Sequence, residues 1–456
     1  MNGKRIGLVG FDRWTCKGFE NAGLNIISHI YANPLDKSEG YQNQPYLINF
    51  HDWKRYKFNK YILSSDRFSL MEGVRELCFQ DFIRCTDRWD WSRELVHNWS
   101  DYDHLFALAF DHAYYWLTHY KIDTLIYSNV PHQGMALVQY SLAKMLNINT
   151  LVFLQSPIES KSWLVEHWSD LGTFQTSPKS ERFDIDISEP ENPPFYMSNV
   201  NPNIVRKLKV VGHKLRARTI VALGMTGLTS RVRRRNFQRN MNRWQRAVED
   251  ERYLTFSEEF FKDKAINEPF VYFPLHLQPE MTTDILGGRY ADQALTLETL
   301  RSKIPNNVAI YVKENPKQIG RLRSEAFFER ISKVPNTKFM SRHTSSFDLI
   351  RNSIAVATIS GTAGWEALRM GKAAIVFGDA FWKNLPGAFP IDPDFDWLEI
   401  TDFEFDRKTL KEAAMHLSQY LHQGVCDPIY SQLVPNFNPK KNSQDLAKTI
   451  ITKLAA

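Results

Sequence analysis

Short apolar runs alternate with amphipathic segments in the first third of the chain. Residues 4–10 form an apolar run that ends in glycine, which is typical of a buried parallel strand leading into a loop. Similar runs at 122–128 and 150–154 flank a segment with helical spacing at 135–146. The pattern therefore predicts a β-α-β unit. Two further helices are expected at 69–89 and 102–119.

The same alternation returns after Pro269. Strands are predicted at 270–275, 308–312, 338–340, 355–359 and 373–377, and helices at 292–302, 324–332, 346–352 and 364–370. Such alternation requires a parallel sheet with both faces covered. We therefore predict an α/β protein of two Rossmann-like domains that face a cleft, with ligands at the carboxyl ends of the strands.

Prolines, serines and acidic residues interrupt the periodic pattern between these two stretches. The predicted division is an N-terminal domain at 1–176, a linker at 177–203, a basic helical insert at 204–262, a second domain at 263–400 and C-terminal helices at 401–456 that pack back on the domains. The last helix is predicted to begin at Ser443 and to carry Leu446, Ile450 and Leu454 on one face.

The positive charge of the chain is concentrated in the insert. The 456 residues include 57 Lys+Arg and 51 Asp+Glu, a net charge of +6. Residues 206–246 hold 13 Lys+Arg and no acidic residue, so the remainder carries 6 − 13 = −7. A solvated helical hairpin, a nucleic-acid patch and a membrane-surface helix are the three interpretations. Only Phe237 and Trp244 could stack on bases, which disfavours nucleic acid.

The membrane interpretation rests on an apolar stripe in the first half of the insert. Val205, Leu208, Val211 and Leu215 lie at helical spacing among basic residues, which favours contact with anionic lipid. We expect an anionic membrane surface as a partner through Val205–Arg246, and no nucleic acid. The four cysteines form no disulfide or zinc pattern, and no segment is typical of a signal peptide or a membrane span. We therefore expect a cytoplasmic protein, peripheral on the inner face of the membrane.

Small and hydroxyl residues cluster where the strand at 355–359 meets the next helix. Ser360, Gly361 and Thr362 would let a ligand approach the backbone, and helix-start N–H groups attract phosphate. Glu366, one turn later, can accept hydrogen bonds from ribose hydroxyls. The alternative is an ordinary turn in which Thr362 caps the helix.

Two more polar loops follow neighbouring strands. Lys313, Glu314, Asn315 and Pro316 end one strand, and the lysine there could offset phosphate charge. His276 follows the first strand of the domain and faces the cleft or is a neutral buried histidine. For the Lys313 loop, the alternative is a solvated strand end.

The run from Tyr272 to Trp382 resembles the C-terminal domain of bacterial capsule and surface polysaccharide biosynthesis proteins, including Kdo transferases. The resemblance covers about a quarter of the chain and, more weakly, the loop Asn129–His132. It implies a GT-B glycosyltransferase fold, a nucleotide-sugar donor held mainly by the second domain, a glycan or glycolipid acceptor, and neither cofactor nor metal. A Lys-x-His-Pro motif of related transferases that use CMP-sugars maps to Lys313, Asn315 and Pro316. Their Ser/Thr-rich motif maps to Ser360 and Thr362. Asn315 replaces the expected histidine and cannot carry a proton.

Asp12 and His132 are the candidate catalytic residues of the N-terminal domain, together with His276 of the second. Both follow predicted strands, where a carboxylate could act as a base or nucleophile. The alternatives are a helix-capping aspartate and a structural histidine. The resemblance thus favours a glycosyltransferase with a CMP-sugar donor such as CMP-Kdo rather than a UDP-sugar. A nucleotide-sugar 2-epimerase and a non-catalytic polysaccharide-assembly or nucleic-acid-binding protein are the alternatives.

Overall fold

The computed structural model describes residues 3–31, 46–49, 53, 56, 65–88, 92–174, 182–191, 231–262, 266–320, 323–427 and 430–455. The chain divides into two compact units. The first comprises Met1–Trp91, Leu95–Ile185 and Ala414–Ala456, and the second Ser92–Glu94 and Asp186–Ala413. Each unit is built around one mainly parallel sheet, so the predicted α/β class with two parallel-sheet domains is confirmed.

The strands within the described residues are short and mostly buried. They are β1 Ile6–Val9, β2 Ile26–Tyr31, β3 Tyr46–Asn49, β4 Thr124–Tyr127, β5 Asn149–Gln155, β6 Lys161–Val165, β7 Phe270–Pro274, β8 Ala309–Lys313, β9 Thr337–Met340, β10 Ala355–Thr358, β11 Ala373–Val376, β12 Ala388–Pro390 and β13 His422–Gln423.

The helices described by the structure connect and cover these strands. They are α1 Arg13–Asn21, α2 Arg67–Asp87, α3 Ser92–Leu95, α4 Ser100–His119, α5 Gly134–Met145, α6 Arg231–Phe260, α7 Met281–Asp284, α8 Gln293–Lys303, α9 Glu325–Ser332, α10 Ser346–Asn352, α11 Thr362–Arg369, α12 Trp397–Thr401, α13 Arg407–Ser418 and α14 Pro439–Ala455.

The sheet of the first unit has the order β13-β6-β5-β4-β1-β2-β3. The five strands from β5 to β3 run parallel, whereas β6 and β13 are added antiparallel at one edge. The β4-α5-β5 crossover is the β-α-β unit that the sequence predicts. On one face, α14 buries Leu446 and Ile450 in the core formed with β1 and α1, and Leu454 packs against that core. This is the apolar stripe predicted for the last helix, which begins four residues before Ser443.

The sheet of the second unit has six parallel strands in the order β12-β11-β10-β7-β8-β9. Its core includes Val271, Ile310, Val312 and Ile375, which are almost fully buried. The end of α6 also belongs to this core, because Tyr253 and Leu254 pack there. The last part of the predicted basic insert is therefore integral to the domain.

The predicted membrane-contacting stripe, Val205 to Leu215, lies outside the described residues. Within the ranges that the structure describes, no helix is both long and apolar enough to cross a membrane.

Candidate nucleotide site

The connections of the second sheet reverse direction between β7 and β10. From β7 the chain proceeds to β8 and β9 on one side, and it then crosses to β10, β11 and β12 on the other. Open parallel sheets bind ligands in the crevice at such a reversal, outside the carboxyl ends of the strands. The loop containing His276 follows β7, and the turn Ser360–Gly361 follows β10. Two of the three polar loops predicted from sequence therefore meet at this point.

His276 joins the two loops as a neutral side chain. Its Nε2 lies 2.7 Å from Thr358 Oγ1 and 3.2 Å from the Ile359 nitrogen. Because the Ile359 N–H is a donor, Nε2 must be the unprotonated acceptor. Burial lowers the pKa of His276 to about 4, with the nearby Arg323 charge adding to the effect. His276 is thus uncharged near neutral pH, and the geometry gives it a positioning role at the reversal.

Gly361 is needed where the turn approaches His276. A Cβ on this residue would lie 2.9 Å from Thr358 Oγ1 and 3.0 Å from His276 Cε1. Gly361 is also the N-cap of α11, and no side chain within the described part of the chain caps this eight-residue helix. Thr362 is therefore the first helical residue rather than the cap. Among the first N–H groups of α11, that of Gly364 donates to the Gly361 carbonyl at 3.2 Å. The start of a helix commonly attracts an anion.

A cluster of the buried Lys313 and Glu366 and the half-buried Ser346 lies at the same edge of the sheet. Lys313 ends β8, and its Nζ donates to Ser346 Oγ over 2.7 Å. Burial lowers the pKa of Lys313 to about 8, although the Glu366 carboxylate acts in the opposite direction. Burial also raises the pKa of Glu366, against hydrogen bonding from Thr362 and the charges of Arg369 and Lys313. Burial removes water from the Lys313 ammonium group and disfavours its charged form. A bound anion would therefore stabilise the charged lysine.

Glu314 and Asn315 stabilise the loop that follows β8. Glu314 forms a salt bridge of 3.0 Å with Arg323, and both side chains are fully buried. The same carboxylate accepts from the Tyr253 hydroxyl at 2.9 Å and from the Asn315 N–H at 2.7 Å. Asn315 Oδ1 in turn accepts from the Lys317 N–H, which fixes the turn through Pro316. The Glu314 carboxylate is thus bound by other groups of the protein. These bonds fix the backbone next to Lys313.

Arg323 ties this loop to the loop after β7. Its guanidinium donates to Gln278 Oε1 at 2.9 Å and to the His276 carbonyl at 2.8 Å. Gln278 is held in addition by Gln293, 2.6 Å away, and by Asp284 at 3.0 Å. This buried polar network makes the strand-end loops one preorganised platform.

The platform lies in a segment that matches a known family. Residues 238–387 match the family of capsule polysaccharide biosynthesis proteins. The resemblance observed in the sequence is thus confirmed over about a third of the chain. The match includes every loop of the platform and the end of α6 that packs against it.

Comparisons with whole proteins give only distant likenesses. No curated protein matches the chain in sequence. The β-Kdo 2,7-transferase KpsC of Thermosulfurimonas dismutans is 10% identical, with 98% of this chain and 99% of that chain covered and a TM-score of 0.36. UDP-GlcNAc 2-epimerase of Methanocaldococcus jannaschii is 12% identical, with 99% of both chains covered and a TM-score of 0.23. The glycosyltransferase SnogD of Streptomyces nogalater is 10% identical, with the same coverage and a TM-score of 0.25.

Asp12 and His132, the other candidate residues, follow adjacent strands of the first unit, β1 and β4. Asp12 caps α1, accepting from the Thr15 N–H at 2.8 Å and the Thr15 hydroxyl at 2.7 Å. His132 Nδ1 lies 2.6 Å from the Val130 carbonyl oxygen, to which it donates. Burial, the largest cause, lowers the pKa of His132 to about 4. The structural alternatives for both residues are therefore realised, and a further role at the strand ends stays a prediction.

Some residues at these edges were not predicted from sequence. Ser346 is 33 positions from Lys313 and was assigned only as a helix start, and Arg323 lies in a loop. In the first unit, Asn129 Nδ2 lies 3.4 Å from Asp427 Oδ2, which brings an unpredicted carboxylate to the end of β4. Because these contacts join distant positions, the only signal in the sequence is the polar character of the residues.

Proposed function

We propose that the protein is a glycosyltransferase of the GT-B type that acts in capsular or surface polysaccharide synthesis. It would transfer a sugar from a nucleotide donor, CMP-linked rather than UDP-linked, to the polysaccharide or its lipid-linked precursor. The observation that carries this proposal is the cluster of Lys313, Ser346 and Glu366 beside the uncapped start of α11. The family match supports the biological context, and the preference for CMP rests on the motif resemblance at Lys313, Ser360 and Thr362.

The proposed donor complex places the phosphate between Lys313 and the first N–H groups of α11. Glu366 would accept hydrogen bonds from the ribose hydroxyls, and Ser346 would orient the lysine. Ser360 donates its own proton to the Thr282 carbonyl, so it can only accept from a ligand. Neutralising the charge that develops on the leaving phosphate, in a site already organised for it, is the catalytic contribution of this unit.

The first unit would supply the group that acts on the acceptor or sugar, with Asp12 and His132 as the candidates. Burial lowers the pKa of His132 to about 4, so the side chain is neutral near physiological pH. It could accept a proton but would not donate one from an imidazolium. Lysine and helix N–H groups provide the positive charge, and we propose that no metal ion or other cofactor is required.

A turnover assay tests the proposal. CMP-Kdo, or a panel of CMP- and UDP-sugars, is incubated with the protein and a capsular oligosaccharide acceptor in the presence of EDTA, and CMP or UDP release is followed. Acceptor-dependent CMP release is expected. Conversion of UDP-GlcNAc without an acceptor would instead establish a 2-epimerase, and glycan affinity without any turnover a non-catalytic assembly protein.

Attachment to the cytoplasmic face of the membrane belongs to the same proposal. The basic segment Val205–Arg246 would contact anionic lipid, which would bring the enzyme to a lipid-linked acceptor. Co-sedimentation with vesicles of anionic and neutral lipid, before and after deletion of residues 207–230, tests this. Equal binding of the two proteins to anionic vesicles would contradict it.

A further inference from the structure

A second site is present in the second unit, beside the nucleotide platform. A cavity of about 770 Å³ is lined by the loop Gly287–Tyr290 and by residues that follow β11 and β12. It therefore also opens at the carboxyl ends of strands, and its volume is typical of small-molecule sites. None of Lys313, Ser346, Glu366 and His276 lines it. The cavity is thus distinct from the proposed phosphate site.

The cavity carries positive charge that the protein does not neutralise. Arg289, Lys303 and Lys383 line it together with two acidic residues, Asp379 and Asp392, for a sum of 3 − 2 = +1. Lys383 pairs with Asp379 at 2.9 Å. Within the described residues, Arg289 and Lys303 have no carboxylate partner. Two cations that line one cavity and have no carboxylate partner among the described residues favour an anionic ligand, because charge-assisted hydrogen bonds are among the strongest contacts available.

An aromatic pair lines the cavity as well. The rings of Tyr290 and Phe377 meet edge to face, with centroids 5.0 Å apart, and both residues line the cavity. Sites that combine aromatic side chains with a few charged groups bind molecules that have both a carbon skeleton and a polar group. An inorganic anion alone would leave the aromatic wall unused. We propose that this cavity binds an anionic saccharide, with its carboxylate or phosphate at Arg289 and Lys303 and its ring against Tyr290.

The position of the cavity connects it to the transfer reaction. The Gly378 N–H donates to the Ile359 carbonyl at 2.8 Å, and the Asp379 N–H donates to the Leu286 carbonyl at 2.8 Å. The cavity wall is therefore bonded to the residue that precedes the Ser360–Gly361 turn. The anionic saccharide has two possible sources, the sugar of the nucleotide donor or the growing glycan. The choice between these two sources rests on the proposed function. The binding of an anionic saccharide to the cavity does not depend on it.

Titration calorimetry on the full chain tests the inference. The ligands are glucuronate, glucose 1-phosphate, neutral glucose and CMP, and the variant is Arg289→Gln/Lys303→Gln. The matched control is Lys333→Gln/Lys408→Gln, which removes two charges from exposed positions that do not line the cavity. We expect the cavity variant to bind the anionic saccharides about tenfold more weakly than the wild type. The control should bind as the wild type does, and the affinity for CMP should change less than twofold in both variants.

Two further ligands distinguish the sources. If CMP-Kdo binds the wild type more tightly than CMP does and the cavity variant loses that gain, the donor sugar occupies the cavity. If the gain persists and a glucuronate-containing oligosaccharide loses affinity instead, the glycan occupies it. Absence of anionic saccharide binding to the wild type, or equal binding to the wild type and the cavity variant, would overturn the inference. Saccharide binding without CMP binding would refute the proposed donor site but leave the cavity assignment intact.

Discussion

The lowered pKa of Lys313 makes nucleotide binding depend on pH in a defined window. If only the protonated lysine holds the phosphate, the apparent Kd rises by the factor 1 + 10^(pH − pKa), with a pKa of about 8. The factor is about 1.1 at about pH 7 and about 11 at about pH 9. We therefore expect CMP to bind about tenfold more weakly at about pH 9 than at about pH 7. The second ionisation of a phosphate has a pKa of about 6, so it is nearly complete at about pH 7 and does not cause this change in affinity.

Lys313→Arg separates this effect from other titrations. The guanidinium remains charged across the whole range. The affinity of this variant for CMP should therefore not change between about pH 7 and about pH 9. His276 does not contribute, because its pKa of about 4 keeps it neutral throughout. Fluorescence or calorimetric titration at several pH values measures both proteins. A wild-type affinity that does not change with pH, or an equal fall in Lys313→Arg, would refute the assignment of Lys313 to the phosphate.

Three further changes test the platform and its packing by urea unfolding. Glu314→Gln should lower the free energy of unfolding by about 3 to 5 kcal/mol, because it leaves the buried Arg323 charge without its partner. Gly364→Ala should lower it by about 1 to 3 kcal/mol, because the new Cβ would lie 2.1 Å from the fully buried Trp382 ring. Lys313→Met should raise it by up to about 3 kcal/mol at about pH 7, where the buried charge is present, while abolishing CMP binding. That gain should shrink as the pH rises above about 8, because the folded lysine loses its proton before the unfolded one does.

Each of these changes has a control. For the salt bridge, the double variant Glu314→Leu/Arg323→Met should lose less stability than the sum of the losses in Glu314→Leu and Arg323→Met alone, and additive losses would show that the pair is not coupled. Gly3→Ala, where nothing lies within 4 Å of the new Cβ, should leave stability unchanged. A less stable Lys313→Met protein that still binds CMP would contradict the view that this lysine is buried for function.

The sequence predicts the parallel cores of both units well, because the buried strands are continuous apolar runs. The edge strands are different. β12 has only three residues, and β6 joins antiparallel after only a few residues, so their pairing depends on the sheet that they join. In β2, the buried polar residues Ser28 and His29 interrupt the apolar pattern. Tertiary context rather than local propensity forms these strands.

From the sequence, the candidate site could be predicted only for residues that lie at or just after the ends of strands. The sequence predicts Lys313 and Glu366 from their positions at the end of β8 and in the first turns of α11, and the structure brings them into one cluster. The salt bridge between Glu314 and Arg323 could not be predicted, because Arg323 is a loop residue whose burial only the fold reveals. Asp12 shows the converse, since a residue after a strand can equally cap the next helix.

Calorimetric titration of the intact protein with CMP and UDP at about pH 7 tests the central claim most directly. The account predicts that CMP binds, that UDP binds more weakly, and that Lys313→Ala lowers the CMP affinity at least about tenfold whereas Lys333→Ala does not. Failure of both nucleotides to bind the wild type, or undiminished CMP binding by Lys313→Ala, would contradict it.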